Sequence, residues 1–269
     1  LNVRQFPRQI ATLAKGGESL LATRIRSAGR AHWLAFFAAL LACWALLFYM
    51  AIPPELRALE SDFGASIADL LCNTQLGASG WLAAFAMWTL MSAAMMVPTA
   101  LPAFATYEDI GHTTSTDFGR LVLGYLTAWI GFSALAAALQ VALFGAGLIS
   151  ALGQSMSVPL TMGLLIGAGA YQFTPLKEAC LSRCRAPLTF FMQHWDEGAY
   201  RNGLRLGLDC IGCCWALMLL AFVGGTMNLI FMGLAMVLMT LEKLPQIGAP
   251  LTRPVGAILI LTGLLLPFF

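Results

Sequence analysis

The feature that most limits what this chain can fold into is the series of long apolar stretches that fills it from residue 32 onward. Seven are read as membrane spans: His32–Ile52, Gly80–Ala105, Leu121–Leu148, Val158–Phe173, Gly203–Val223, Thr226–Leu241 and Pro254–Phe268. A helix needs roughly 20 mostly apolar residues to cross the hydrocarbon core, and the fourth, sixth and seventh stretches are short of that. Only Gly224-Gly225 separates the fifth from the sixth, so the pair is either a tight helical hairpin or one broken helix. Charged residues make up 10% of the chain, less than half the roughly one quarter expected of a soluble domain. That excludes a water-soluble globule and a disordered chain. A net charge of +2 without a dense basic stripe excludes a nucleic-acid partner. The expected fold is an all-α polytopic membrane protein, a helical bundle of six to seven transmembrane helices embedded in a lipid bilayer.

Positive charge accumulates on the cytoplasmic side of such proteins. With the N-terminus cytoplasmic, the inner segments hold Arg4, Arg8, Lys15, Arg24, Arg26, Arg30, Arg120, Lys177, Arg183, Arg185, Arg201, Arg205, Lys243 and Arg253, and the outside holds only Arg57. Residues 1–31 read as a basic amphipathic segment on the cytoplasmic lipid surface, with Ile10, Leu13, Leu20, Leu21 and Ile25 on its apolar face. The stretch that follows is longer than the apolar region of a signal peptide and has no small-x-small site behind it, so it is expected to be an anchor. Residues 32–269 then form one transmembrane helical domain. The loop Pro53–Ser79 is outside and acidic, Thr106–Gly119 is an inner loop, and the inner loop 174–202 carries cysteines.

There are seven cysteines: Cys43, Cys72, Cys180, Cys184, Cys210, Cys213 and Cys214. Five share a short window at the inner loop and the cytoplasmic half of the fifth span, where thiols stay reduced, so they read as free thiols or metal ligands. Cys180 and Cys184 stack at i, i+4 if their segment is helical; Cys210 and Cys214 repeat that spacing and Met218 extends the stripe. Met95 and Cys213 each lie ten residues from the inner end of their spans, about 15 Å deep at 1.5 Å per residue. Met91 and Met95 share a face with Met96 beside them, and Met232, Met236 and Met239 form a further stripe on the sixth span. Pro98 and Pro102 interrupt the second span's hydrogen-bond ladder, so bending or exposed carbonyls are expected there.

Thiolates and thioethers are soft ligands, and softness selects Cu(I); zinc, the second choice, takes cysteines but gains little from thioethers. Packing is the competing reading for every cysteine and methionine named, since both are ordinary apolar residues of membrane helices. His32, His112 and His194 lie at span edges or outside them and read as interfacial, with His194 a possible helper. Asp209, just before Cys210, reads as the partner of Arg205 at i−4, or as an acid that attracts a cation.

The chain resembles a bacterial family of metal-binding integral membrane proteins, formerly a domain of unknown function, some members of which are described as copper chaperones serving a copper oxidase such as a tyrosinase. The resemblance rests on Ala94-Met-Met-Val-Pro-x3-Pro102, on Tyr171-Gln-Phe-Thr-Pro-Leu-Lys-Glu-Ala-Cys-Leu-Ser-Arg-Cys-Arg-Ala-Pro187 and on Gly207-x2-Cys-Ile-Gly-Cys-Cys-Trp-Ala-Leu-Met218, with Gly225-Thr-Met-Asn228 and Glu242-Lys243 in addition. It implies a multi-pass protein of the bacterial inner (cytoplasmic) membrane that binds copper and delivers it to a copper-dependent enzyme or exchanges it with a soluble copper carrier. The resulting expectation is a non-enzymatic Cu(I) protein with Cys180, Cys184, Cys210, Cys213, Cys214, Met91, Met95, Met96 and Met218 as metal ligands. A membrane thiol redox protein using Cys210-Ile-Gly-Cys213 is the first alternative, but the outer face offers it only Cys72. A non-metal permease or scaffold is the second, and its spans hold few polar residues beyond Gln140 and Asn228.

Overall fold

The computed structural model describes residues 31–51, 74–110 and 117–268. Of the expected amphipathic segment 1–31, residues 1–30 lie outside the described residues, as do residues 53–73 of the acidic loop, Cys72 among them, and His112. The chain divides into two compact units, residues 1–42 and 43–269. Of the first, the described part is the beginning of helix α1 (Ala31–Ala51). In the second, α2 (Gly77–Thr99), α3 (Leu101–Ile110), α4 (Phe118–Gly145), α5 (Val158–Tyr171), α6 (Pro175–Arg185), α7 (Pro187–His194), α8 (Ala199–Leu219), the single turn α9 (Ala221–Gly224), α10 (Leu229–Lys243) and α11 (Gly248–Leu265) follow in order, with no strand among the described residues.

Among the described residues, five helical stretches are long and apolar enough to cross a membrane: His32–Ala51, Gly77–Thr99, Phe118–Gly145, Ala199–Gly224 and Gly248–Phe268. Helices α5 and α10, of 14 and 15 residues, are shorter. The last stretch begins earlier than its sequence suggests, because Pro254 sits inside α11 rather than at its start. Large apolar side chains such as Leu135, Ile230, Leu234 and Leu261 point outward, while Lys177, Glu242 and Gln140 are buried. That is the inverse of a water-soluble protein and suits a solvent of lipid chains.

The inner loop of the sequence reading is largely helical. Thr174 caps α6 by accepting from the Lys177 amide, with Pro175 in the first turn, and Pro187 opens α7 in the same way. A proline in the first turn forfeits no hydrogen bond, so each starts a helix rather than breaking one. The Gly224-Gly225 junction is a hairpin: Gly225 takes φ +91°, and α10 runs back until Lys243 reaches Cys210 in the middle of α8.

The closest helix crossing is that of α4 and α8. Gly203 and Gly207 form a Gly-x3-Gly pair on α8 against Gly124 and Ala128 of α4. A β-carbon on Gly203 would stand 1.9 Å from the Leu121 carbonyl oxygen, and one on Gly124 would stand 2.1 Å from that of Tyr200. Small residues at i, i+4 let two backbones meet where lipid gives no hydrophobic drive to association. This seam aligns Tyr125 of α4 with Cys210 of α8. Gly203→Ala is expected to destabilise the fold by about 1–3 kcal/mol through overpacking. Gly131→Ala, with nothing within 4 Å of the new carbon, should be neutral; thermal unfolding of both variants in one detergent makes the comparison.

Candidate metal centre

The centre is built where α2 ends. Pro98 has no amide hydrogen to give to the Ala94 carbonyl four residues back, and the indole of Trp44 supplies that bond instead at 3.0 Å. At the helix end the Ala100 amide turns to Val97. The Met96 carbonyl instead accepts from the Thr99 hydroxyl at 2.8 Å and from the Tyr125 hydroxyl at 2.8 Å. The exposed carbonyls expected from the Pro98/Pro102 pair are therefore present, and two hydroxyls take up one of them.

Cys210, Cys213 and Cys214 follow i, i+3, i+4 on α8 and so share one face. All three are buried, and their sulfurs lie within 4.8 Å of one another. Cys213 Sγ is 3.1 Å from Cys214 Sγ and donates to the Cys210 carbonyl at 3.1 Å. Three soft sulfurs at this spacing could hold one metal ion. The Lys243 ammonium donates to Cys210 Sγ at 2.9 Å and to the Thr99 hydroxyl at 2.6 Å, and the Tyr125 hydroxyl lies 3.1 Å from the same sulfur. Cys210 is thus held by a ring that runs Lys243, Thr99, Met96 carbonyl, Tyr125. On one side the ring opens to a cavity of about 210 Å³ whose lining includes Cys184, Arg185, Cys210 and Lys243.

Helix α6 brings the other two cysteines. Cys180 packs against Gly212, where an added β-carbon would stand 2.5 Å from its sulfur. Cys184 is half-buried, lines the cavity and interacts with the Cys213 thiol. Both lie outside the tight group of three. Burial, and then the Asp209 carboxylate nearby, push the Cys180 thiol above its ordinary range, against the Arg183 guanidinium. Charged contacts fix α6 in place. Arg183 meets Asp209 at 2.9 Å, Lys177 meets Glu242 at 2.8 Å with both side chains 1% exposed, and Arg185 donates to the Glu242 carbonyl. The sequence reading that paired Asp209 with Arg205 is corrected here. Arg205 binds Glu197 at 2.6 Å, and the packing of α6 on α8 brings Arg183 to Asp209 instead.

Met91, Met95, Met96 and Met218 are all buried. The His194 ring lies 2.9 Å from the Phe190 carbonyl. Sequence reasoning gave Tyr125 and Thr99 no role and named Lys243 only among the inner basic residues and within the Glu242-Lys243 pair of the resemblance, without a part in the site. Nothing in one sequence says which way that lysine turns.

A family model described as PpoB2, copper chaperone, matches residues 85–266. The chain belongs to this copper chaperone family. No curated protein and no solved structure matches it. The matched region contains every residue of the ring, the three clustered cysteines and α6. The Lys177–Glu242 pair is buried on both sides, so removing one partner strands a charge in an apolar interior. Lys177→Met should destabilise the protein by about 3–5 kcal/mol, and Lys177→Met with Glu242→Met should recover most of that. Denaturant unfolding in detergent reads both.

Proposed function

We propose that the chain is a membrane-embedded Cu(I)-binding protein, without catalytic activity of its own, that hands copper to a copper-dependent enzyme or exchanges it with a soluble carrier. The observation that carries this reading is the buried group of Cys210, Cys213 and Cys214 with its sulfurs within 4.8 Å. Family membership supports copper as the metal. In this reading those three cysteines are the core ligands. Cys180 and Cys184 are an exchange pair beside the cavity, and Met91, Met95, Met96 and Met218 are thioether donors. In this reading the chain crosses the bacterial inner membrane six or seven times with its N-terminus in the cytoplasm, and the distribution of lysine and arginine supports that orientation.

Transfer between sulfurs needs no change in the oxidation state of copper. An incoming thiolate adds to the ion as an outgoing one leaves, and a cavity bordered by both Cys184 and Cys210 gives the two sulfurs a common space. Cu(I) with two thiolates carries a net charge of −1, and with three −2, which is costly in an apolar bundle. The Lys243 ammonium, 2.9 Å from Cys210 Sγ, is placed to offset part of that charge.

The test is metal content of protein purified without oxygen and offered Cu(I) against Zn(II). Near-stoichiometric copper in the wild type and none in Cys213→Ser with Cys214→Ser is the expected result; copper retained by the double variant, or zinc in its place, would overturn the reading. Lys243→Leu should weaken Cu(I) binding by about ten- to a hundredfold, from loss of a charge-assisted contact of roughly 1.5–3 kcal/mol. Lys243→Arg should keep most of the affinity. Competition with a chromophoric Cu(I) chelator measures both.

A further inference from the structure

Two helices meet at the cysteine group and run away from it side by side. At the near end Lys243, the last residue of α10, binds Thr99, the last residue of α2. At the far end Phe222 stacks 5.5 Å from Trp88 of α2. Gly224, two residues on, lies against the ring of Phe231, where an added β-carbon would stand 2.5 Å from it. With both ends pinned, and the helices packed on one another between them, α2 and α10 are parallel and in register.

That register aligns their methionines. Counting back from Thr99, Met95, Met91 and Met87 come at four, eight and twelve residues; counting back from Lys243, Met239, Met236 and Met232 come at four, seven and eleven. Met87, Met91 and Met95 are successive i, i+4 neighbours on α2, and Met232, Met236 and Met239 follow i, i+4, i+7 on α10, so each set forms a continuous stripe, and the two starting points touch. The pairs Met95/Met239, Met91/Met236 and Met87/Met232 therefore stand in three tiers at about 6, 11 and 17 Å from the Lys243–Thr99 contact, at 1.5 Å per residue. Met87, Met91, Met95, Met232 and Met239 are buried and Met236 is half-buried, while Ile230, Leu234 and Val237 on the opposite face of α10 are exposed. Scattered methionines fill gaps in a core. Here they repeat turn by turn along one seam, and that seam begins at the residue that touches Cys210.

We propose that these six methionines form a second metal site, a thioether file between α2 and α10 that takes Cu(I), or Ag(I) as its redox-inert surrogate, above the cysteine group. It rests on the copper reading for its metal but not on the cysteines being ligands. A thioether has no proton to lose, whereas a thiol must give one up to bind metal, so the two sites differ in their response to pH. Neutral donors also leave the ion its full positive charge, so the file holds metal more weakly than thiolates do and can pass it on.

The experiment uses the full chain in nanodiscs with Ag(I), read by mass spectrometry after dialysis at pH 8 and pH 5.5. The variants are a cysteine-free chain (Cys43, Cys72, Cys180, Cys184, Cys210, Cys213 and Cys214 all to Ser) and a four-Leu chain (Met87→Leu, Met91→Leu, Met232→Leu and Met236→Leu), alone and combined. Met-to-Leu exchanges keep volume and cost under about 1.5 kcal/mol each. If the combined chain does not fold, the pair Met87→Leu with Met232→Leu in the cysteine-free background gives the same reading. The expected result is Ag(I) retained by the cysteine-free chain equally at both pH values, with affinity at least tenfold lower once the leucines are added. In an otherwise unchanged chain, Met87→Leu with Met232→Leu should leave the tightly held ion in place. A cysteine-free chain that holds no Ag(I), or whose Ag(I) the leucines leave unchanged, overturns the file; if the four-Leu chain still holds an ion, the cysteine centre survives. Metal that the leucines remove and the cysteine replacements do not touch supports the file and overturns the cysteine centre instead.

Discussion

An ammonium group pressed against a cysteine sulfur inside an apolar helix bundle is the contact on which the rest of the arrangement depends. A buried lysine needs partners that repay its lost hydration, and Lys243 finds two, Cys210 Sγ and the Thr99 hydroxyl. Each partner comes from a different helix. One side chain therefore ties α10 to the cysteine-bearing α8 and to the proline-broken end of α2. The residue beside it, Glu242, turns the other way and binds Lys177 of α6. Consecutive residues at the end of one helix thus fix three others, and the cysteine-bearing α6 and α8 are held together as a consequence.

The rest of the scaffold brings α4 and α8 close enough for this to work. Without Gly203 and Gly207 the α4 backbone could not approach α8 as it does, and the Tyr125 hydroxyl would not reach both the Met96 carbonyl and Cys210. Pro98 of α2 acts on the same ring from the other side. It lies one residue before the helix end, where the Met96 carbonyl is left to the two hydroxyls, and it leaves Trp44 to satisfy the Ala94 carbonyl one turn above. Glycine on one helix and proline on another, each costly in an isolated helix, serve here to shape one small polar enclosure in an otherwise dry interior.

Much of this was legible in the sequence, and what was not has a common cause. Apolar length located the helices, since crossing a bilayer is a one-dimensional requirement. The i, i+3, i+4 spacing placed Cys210, Cys213 and Cys214 on one face, because helical period is local. Two of the three short spans emerged as short helices and the third lengthened, with Pro254 inside it; the Thr174 cap and prolines in the first turns of α6 and α7 made helices of an expected loop, which composition does not reveal. Partner choice was not legible. Asp209 could reach Arg205 along its own helix, yet it binds Arg183 because α6 lies across α8, and that crossing is a tertiary fact. Lys243 was hidden for the same reason: its chemistry depends on which neighbour its helix is rotated towards.

Two kinds of sulfur on one bundle pose different electrostatic problems. A thiolate group gathers negative charge and needs a cation beside it, which explains a lysine at Cys210 and its absence further up the α2–α10 seam. A thioether group gathers no charge, so it asks nothing of its surroundings beyond room and alignment. Methionines can therefore continue through the apolar layer where charged or strongly polar residues would be expensive. The placement of Lys243 follows from that difference: it sits where the cysteine-bearing α8 meets the ends of the methionine-bearing α2 and α10, with its ammonium turned to the cysteine sulfur that would carry negative charge.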